Sequence, residues 1–189
     1  MILNKSDENT LKICADFLAQ NKVLILPTDT VYGFSGIVGK TDAVIRKIKG
    51  REETKPFIQL IGKIEQLSQI TDDIIPEKLL SFWPGPLTII VNSKENPGTT
   101  VAVRCPGDEW LRNLICLVGK PLYSTSVNRS GLPVLGKVSE IKKEFENEVS
   151  LIVENGDSES SVPSTIVKIQ DEKIVVIRPG AVDLSDILE

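Results

Sequence analysis

The sequence predicts one α/β domain of the α+β kind, spanning 1–189, built on an open mixed sheet with flanking helices. Three observations lead there. About eight short runs rich in Val, Ile, Leu and Thr alternate irregularly with about five segments of helical periodicity. The last strands follow one another as hairpin partners, which a strictly alternating barrel would not do. No repeat, low-complexity tract or linker interrupts the chain, and the loop-like stretch 154–164 is short enough to belong within one domain.

Taken in order, Ser6 or Asp7 can cap a first helix in which Leu11, Cys14, Ala15 and Leu18 recur at helical spacing. The apolar run KVLIL (22–26) reads as a strand ended by Pro27, and the Gly- and Thr-rich stretch 27–39 as loop or irregular strand. Thr41 can cap a helix carrying Val44, Ile45 and Ile48 up to Gly50. FIQLI (57–61) is a further strand. Pro76 at a first helical position opens a short helix through Leu79, Leu80 and Trp83, stopped by WPGP. LTIIV (87–91) and TVAVR (100–104) are β-rich. Asp108 caps EWLRNLICLV with Gly119 just past its end, PLYSTSVN extends again, and SEIKKEFEN (139–147) forms another helix. LIVEN, STIVKI and KIVVIR are late strands, the last two joined through QDEK.

Composition narrows the chemistry. The formal net charge of −4 argues against a protein coated in nucleic acid, while leaving room for one basic cleft on an acidic body. Cys14, Cys105 and Cys116 form no C-x-x-C and are odd in number, so neither a disulfide framework nor a zinc cluster is indicated. The N-terminus turns polar too early for a signal peptide and no apolar run is long enough to span a membrane, which gives the expectation of a cytoplasmic protein with no membrane partner. Histidine is absent, which removes Ser-His-Asp and Cys-His catalysis. Cys105, Trp83 and Trp110 read as structural.

The stretch RKIKGREETKP (46–56) holds five cations against two carboxylates. Arg46, Lys47 and Lys49 suit the last turn of a helix through its dipole. Arg51 and Lys55 lie beyond that helix, so the same cluster also suits an anion clamp. No GxxxxGK[ST] or GxGxxG motif accompanies it, so any nucleotide would bind by another device.

Beyond that point the residues carry a resemblance, in seven blocks that come in this order: PTDTVYG (27–33), KGR (49–51), WPGPLT (83–88), TVAVRCP (100–106), STSVN with SG (124–131), PSTIV (163–167) and IRPGA (177–181). Together they resemble the YrdC/TsaC family, the threonylcarbamoyl-AMP synthases. The resemblance implies a YrdC-like twisted sheet around a large electropositive cavity. It also implies condensation of L-threonine, bicarbonate and ATP to L-threonylcarbamoyladenylate and pyrophosphate, a nucleotidyltransferase activity. Mg2+ would arrive with ATP and no metal would be held by the protein itself. A threonylcarbamoyl-transferase complex acting on tRNA would consume the product.

Residue by residue, the resemblance implies catalytic roles for Lys49, Arg51, Ser126 and Asn128. It implies ATP contacts at Arg51, Lys55, Thr100, Asn128, Gly136 (through its backbone) and Arg178, and threonine contacts at Thr28, Arg104, Ser126 and Ser164. The i, i+2 spacing of Ser126 and Asn128 on an extended segment would put both on one face, while a strand end entering a turn at NRSG fits Asn128 equally well. Arg104 could likewise be a solvent-facing strand end. Asp29 departs from the commoner glutamate, Val127 from the commoner alanine, and Leu135–Gly136 from a threonine or arginine near ATP. The chain resembles the short, single-domain members. A rival reading is a non-catalytic module that uses the same basic cavity to bind tRNA or rRNA, with tRNA or double-stranded RNA as its partner. A third is a carbamoyl-adenylate-handling module like those inside larger carbamoyltransferases.

Overall fold

The computed structural model describes residues 1–51, 56–158, 162–170 and 173–187. Among the described residues ten strands run in chain order: β1 (Ile2–Asn4), β2 (Leu24–Leu26), β3 (Gly33–Ile37), β4 (Ile58–Leu60), β5 (Leu87–Asn92), β6 (Thr100–Arg104), β7 (Leu122–Ser126), β8 (Leu151–Glu154), β9 (Thr165–Gln170) and β10 (Lys173–Arg178). The helices are α1 (Thr10–Ala19), α2 (Asp42–Lys49), α3 (Glu77–Leu80), α4 (Glu109–Val118) and α5 (Val138–Phe145), with 3-10 turns at Ile64–Gln69 and Ser185–Ile187. All ten strands join one mixed sheet in the order β1-β8-β2-β3-β7-β4-β6-β5-β9-β10.

Why the apolar runs are unbroken follows from which faces are covered. In β2, Leu24 and Leu26 enter a core beneath α1 and α4, while Ile25 enters a second core beneath α2 and α5. In β8, Leu151 and Val153 face the first and Ile152 the second. A strand buried on both faces needs apolar residues at consecutive positions, not alternating ones. A third core under α3 takes Trp83, Ile89, Val103 and Val167, and the Trp83 indole N–H donates to Leu87 O at 2.6 Å, so this tryptophan is structural.

One strand differs from the reading of the sequence, and a second settles the choice between loop and strand that the reading left open. β1 is three residues long and pairs in parallel with β8, almost the whole chain away. β3 holds two glycines that look like loop residues, yet each sits where a side chain would collide. A Cβ on Gly33 would come within 2.7 Å of Ser124 Oγ, and one on Gly36 within 2.4 Å of Thr41 Oγ1. Three helix starts also differ. Asp7 spends its carboxylate on Asn4 N–H, and α1 begins later, at Thr10. Thr41 occupies the N-cap position of α2, but its hydroxyl donates to Ile37 O instead of capping. Pro76 is the residue before α3, not its first. Asp108 does cap α4, accepting from Leu111 N, and Gly119 (φ 72°) and Gly50 (φ 60°) close α4 and α2 in the left-handed conformation glycine favours.

Candidate active site

Where strands β7, β4, β6, β5 and β9 lie side by side, one face of the sheet is left open between the 27–32 loop and the end of β10. A cavity of about 230 Å3 there is lined by Thr30, Arg51, Arg104, Ser126, Ser164 and Arg178, with apolar floor residues including Ile58, Ala102 and Ile166. It continues through Val31, Ser126, Pro163 and Arg178 into a second chamber of about 310 Å3, lined by Val134, Leu135, Gly136, Glu140 and Ser158. A larger depression of about 540 Å3 opens on the opposite face, past Gln59 and Tyr123; Arg46 of the cationic stretch lines it, but none of the residues given a catalytic, ATP or threonine role does.

Strand geometry puts these groups together. Thr100, Ala102 and Arg104 alternate onto one face of β6, and Ser124 and Ser126 onto the paired face of β7. Arg104 is 4% exposed, and its guanidinium is held from three sides. Nε donates to Gly85 O at 3.0 Å, Nη1 to Thr30 Oγ1 at 3.0 Å and Nη2 to Asp29 Oδ1 at 2.5 Å. A guanidinium has five N–H groups, so one on each terminal nitrogen remains without a partner among the described residues. Arg104 is therefore no solvent-facing strand end.

Arg178, the last residue of β10, donates through Nη2 to Ser164 O (2.7 Å) and Ser164 Oγ (3.1 Å), and Ser164 Oγ shares a 2.9 Å hydrogen bond with Thr88 Oγ1. Burial, and then the charge of Arg104, holds the Arg178 guanidinium below the usual arginine range. Arg51 follows the helix-closing Gly50, reaches Thr125 Oγ1 (3.3 Å) and Pro56 O (3.1 Å), and lies against the Phe57 ring. Its Nε is buried without a partner among the described residues. Burial, and then Arg46, lowers its pKa too. Three cations thus face one cavity whose described lining contains no carboxylate.

Two members of the implied catalytic set stand behind this wall. Lys49 is 2% exposed and its Nζ donates to Ser126 O (2.5 Å), Asn128 O (2.9 Å) and Asn128 Oδ1 (2.8 Å). Burial, and then Arg51, brings its pKa down to about 8. β7 ends at Ser126, so Asn128 belongs to the turn; its Nδ2 donates to Arg129 O and Leu132 O, and its Oδ1 also accepts from Ser126 Oγ. Lys49 and Asn128 brace the Ser126 corner, and of these three residues Ser126 is the one that lines the chambers. Gly136 lines the second chamber, and its carbonyl accepts from Ser158 N. Thr28 turns its hydroxyl to Val31 O and to Thr30, beside a small neighbouring pocket. Thr100 is exposed at the start of the β6 row, and Lys55 lies outside the described residues. Thr30, Asp29, Thr88 and Thr125 were not signalled by the sequence as site residues; only pairing with Arg104, Ser164 and Arg51 reveals them.

Known proteins are similar to this chain in sequence and in fold. A threonylcarbamoyl-AMP synthase of Pyrococcus abyssi is 31% identical over 98% of this chain and 58% of its own length. A putative threonylcarbamoyl-AMP synthase of Methanocaldococcus jannaschii is 34% identical over 96% of this chain and 91% of its own. The chain therefore spans little more than half of the first relative and nearly all of the second. The crystal structure of P. abyssi Sua5 complexed with L-threonine superposes with a TM-score of 0.89 at 32% identity, covering 99% of this chain and 59% of that one. The Sua5/YciO/YrdC family model, described as "Telomere recombination", matches residues 16–180, and by that match and these identities the chain belongs to the Sua5/YciO/YrdC family.

Proposed function

We propose that this protein is a threonylcarbamoyl-AMP synthase, a nucleotidyltransferase that joins L-threonine, bicarbonate and ATP and releases pyrophosphate. The observation that carries the reading is the state of Arg104: its two unpartnered N–H groups, one on each terminal nitrogen, match the two oxygens of an amino-acid carboxylate. P. abyssi Sua5 was crystallised with L-threonine, and the P. abyssi and M. jannaschii relatives bear the synthase name, the second with the prefix "putative". Threonine would lie in the first chamber, with its carboxylate on Arg104 and its side chain near Ser164 and Ser126.

The chemistry asks little covalent work of the chain. Threonine's unprotonated amine adds to CO2 derived from bicarbonate and loses a proton, giving a carbamate. A carbamate oxygen forms its bond to the α-phosphorus of ATP as the bond to the bridging oxygen breaks, and pyrophosphate leaves with that electron pair. Arg51 and Arg178 face the chamber from separate elements and would stabilise the charge building on the leaving group, while the cavity holds both reactants in line. A donor set of guanidinium and hydroxyl groups suits a triphosphate that brings its own Mg2+; the cation's charge would add to theirs. The adenylate would pass to a threonylcarbamoyl-transferase complex acting on tRNA.

Purified protein given ATP and Mg2+ should release pyrophosphate only when both threonine and bicarbonate are present. Arg51→Ala should lower that rate by about 100-fold or more, since one preorganised donor in such a site contributes roughly 10²–10³. Threonine-independent release, or an undiminished rate in Arg51→Ala, would reject the reading.

A further inference from the structure

The acidic residue in PTDTVYG stands in the wall of the cavity and not on its lining. Asp29 Oδ1 accepts from Arg104 Nη2 at 2.5 Å, and Oδ2 accepts from Gly107 N at 2.7 Å. The pair is enclosed, with side-chain exposures of 5% for Arg104 and 19% for Asp29. The space around the carboxylate is also closed: a Cβ on Gly107 would come within 2.9 Å of Oδ2. We infer that Asp29 is a positioning residue for amino-acid recognition: by tying the Arg104 guanidinium to the backbone at Gly107, it aims the two remaining N–H groups at the substrate carboxylate. The inference rests on the proposal that Arg104 grips threonine, and it assigns to Asp29 no contact with substrate.

The geometry supports this over a simple charge balance. Arginine has a long, rotatable side chain, and a fork serves bidentate recognition only when its plane is fixed. Gly85 O and Thr30 Oγ1 each hold one nitrogen. Asp29 alone ties a terminal nitrogen to a second backbone segment, the 106–108 turn between β6 and α4. Both of its oxygens are acceptors in use. A carboxamide of the same shape offers a single acceptor, so one of the two donors would meet an NH2 group instead.

Asp29→Asn and Asp29→Ala should therefore raise the KM for threonine by about tenfold or more, the scale of one charge-assisted hydrogen bond, with the KM for ATP within about twofold of wild type. Gly107→Ala touches neither chamber yet crowds Oδ2, and should reproduce the threonine defect. A purely structural role would instead lower melting temperature and active fraction without separating the two KM values. If Asp29→Ala does not fold, the isosteric Asp29→Asn and the Gly107→Ala variant carry the test.

Calorimetric titration of threonine alone keeps the inference separate from the catalytic proposal. Wild-type protein that binds threonine but releases no pyrophosphate would sink the catalytic proposal and leave Asp29 testable by the binding constants. Threonine affinity unchanged in Asp29→Asn, affinity increased in it, threonine and ATP weakened together, or no threonine binding by wild type would each overturn the positioning role.

Discussion

Lys49 places an ammonium where water does not reach, and the cost of doing so has a pH signature. Its folded-state pKa of about 8 lies below the ordinary 10.5 because burial, and then Arg51, disfavours the charge. Between those two values the unfolded chain binds a proton that the native chain does not, so this group makes stability rise with pH. Below about pH 8 both states are charged and the penalty is fully in place. The urea midpoint of wild type measured against Lys49→Met should therefore climb from pH 8 to 10.5 and be flat below pH 8. A difference that does not vary with pH would mean that the three acceptors at Ser126 and Asn128 fully replace water. At this scale the sequence is partly legible. The types and spacing of KGR and STSVN identify groups that do meet, but spacing says nothing about whether a lysine points into a cavity or props up its wall. That direction is decided by the carbonyls of a turn 77 residues further along the chain.

The element that delivers Arg51 is the C-terminus of α2. Gly50 adopts φ 60°, its N–H bonds Lys47 O and the next N–H bonds Arg46 O, which turns the chain out of the helix toward the cavity. The turn after β7 clasps the same helix end: Ser130 N donates to Lys49 O at 2.7 Å and Arg129 Nη1 donates to Ile48 O, while Arg129 also pairs with Glu144 and Glu148. The helix end and the Ser126 corner are one mechanical unit. Gly50→Ala meets no atom of the described residues within 4 Å, so the left-handed backbone is what opposes it, at a cost of about 1 kcal/mol. Chemical denaturation should show that loss, and the KM for ATP should rise as Arg51 is displaced. Gly36→Ala, whose Cβ would meet Thr41 Oγ1 at 2.4 Å, should cost clearly more. The glycine closing α2 is readable from sequence because its role is local. Those of β3 are not: Gly33 avoids Ser124 on the neighbouring strand β7, and Gly36 avoids Thr41, which the turn of the chain into α2 folds back against it.

Across the whole molecule, the sheet order is what no local pattern could supply. β4 lies between β7 and β6, and β9 beside β5, so Arg51, Arg104, Ser126, Ser164 and Arg178 meet only after several crossovers between strands distant in sequence. The resemblance carried by the seven blocks stands in for that topology; composition and periodicity alone yield a mixed sheet with eight or so strands. The assembled charge distribution then separates a small-molecule enzyme from a nucleic-acid module. Three guanidiniums converge on a semi-enclosed cavity in a chain of net charge −4, so attraction is focused at short range, where salt screens half-buried pairs weakly. The dissociation constant for ATP should therefore change by less than about tenfold between 50 and 200 mM salt. A protein tracking six or more phosphates on an RNA backbone would lose about 10³–10⁵ over the same range. Titrating ATP and unmodified tRNA side by side at both salt concentrations reads the difference directly. Steeply salt-dependent tRNA binding tighter than ATP binding would transfer the cavity to the RNA-binding reading.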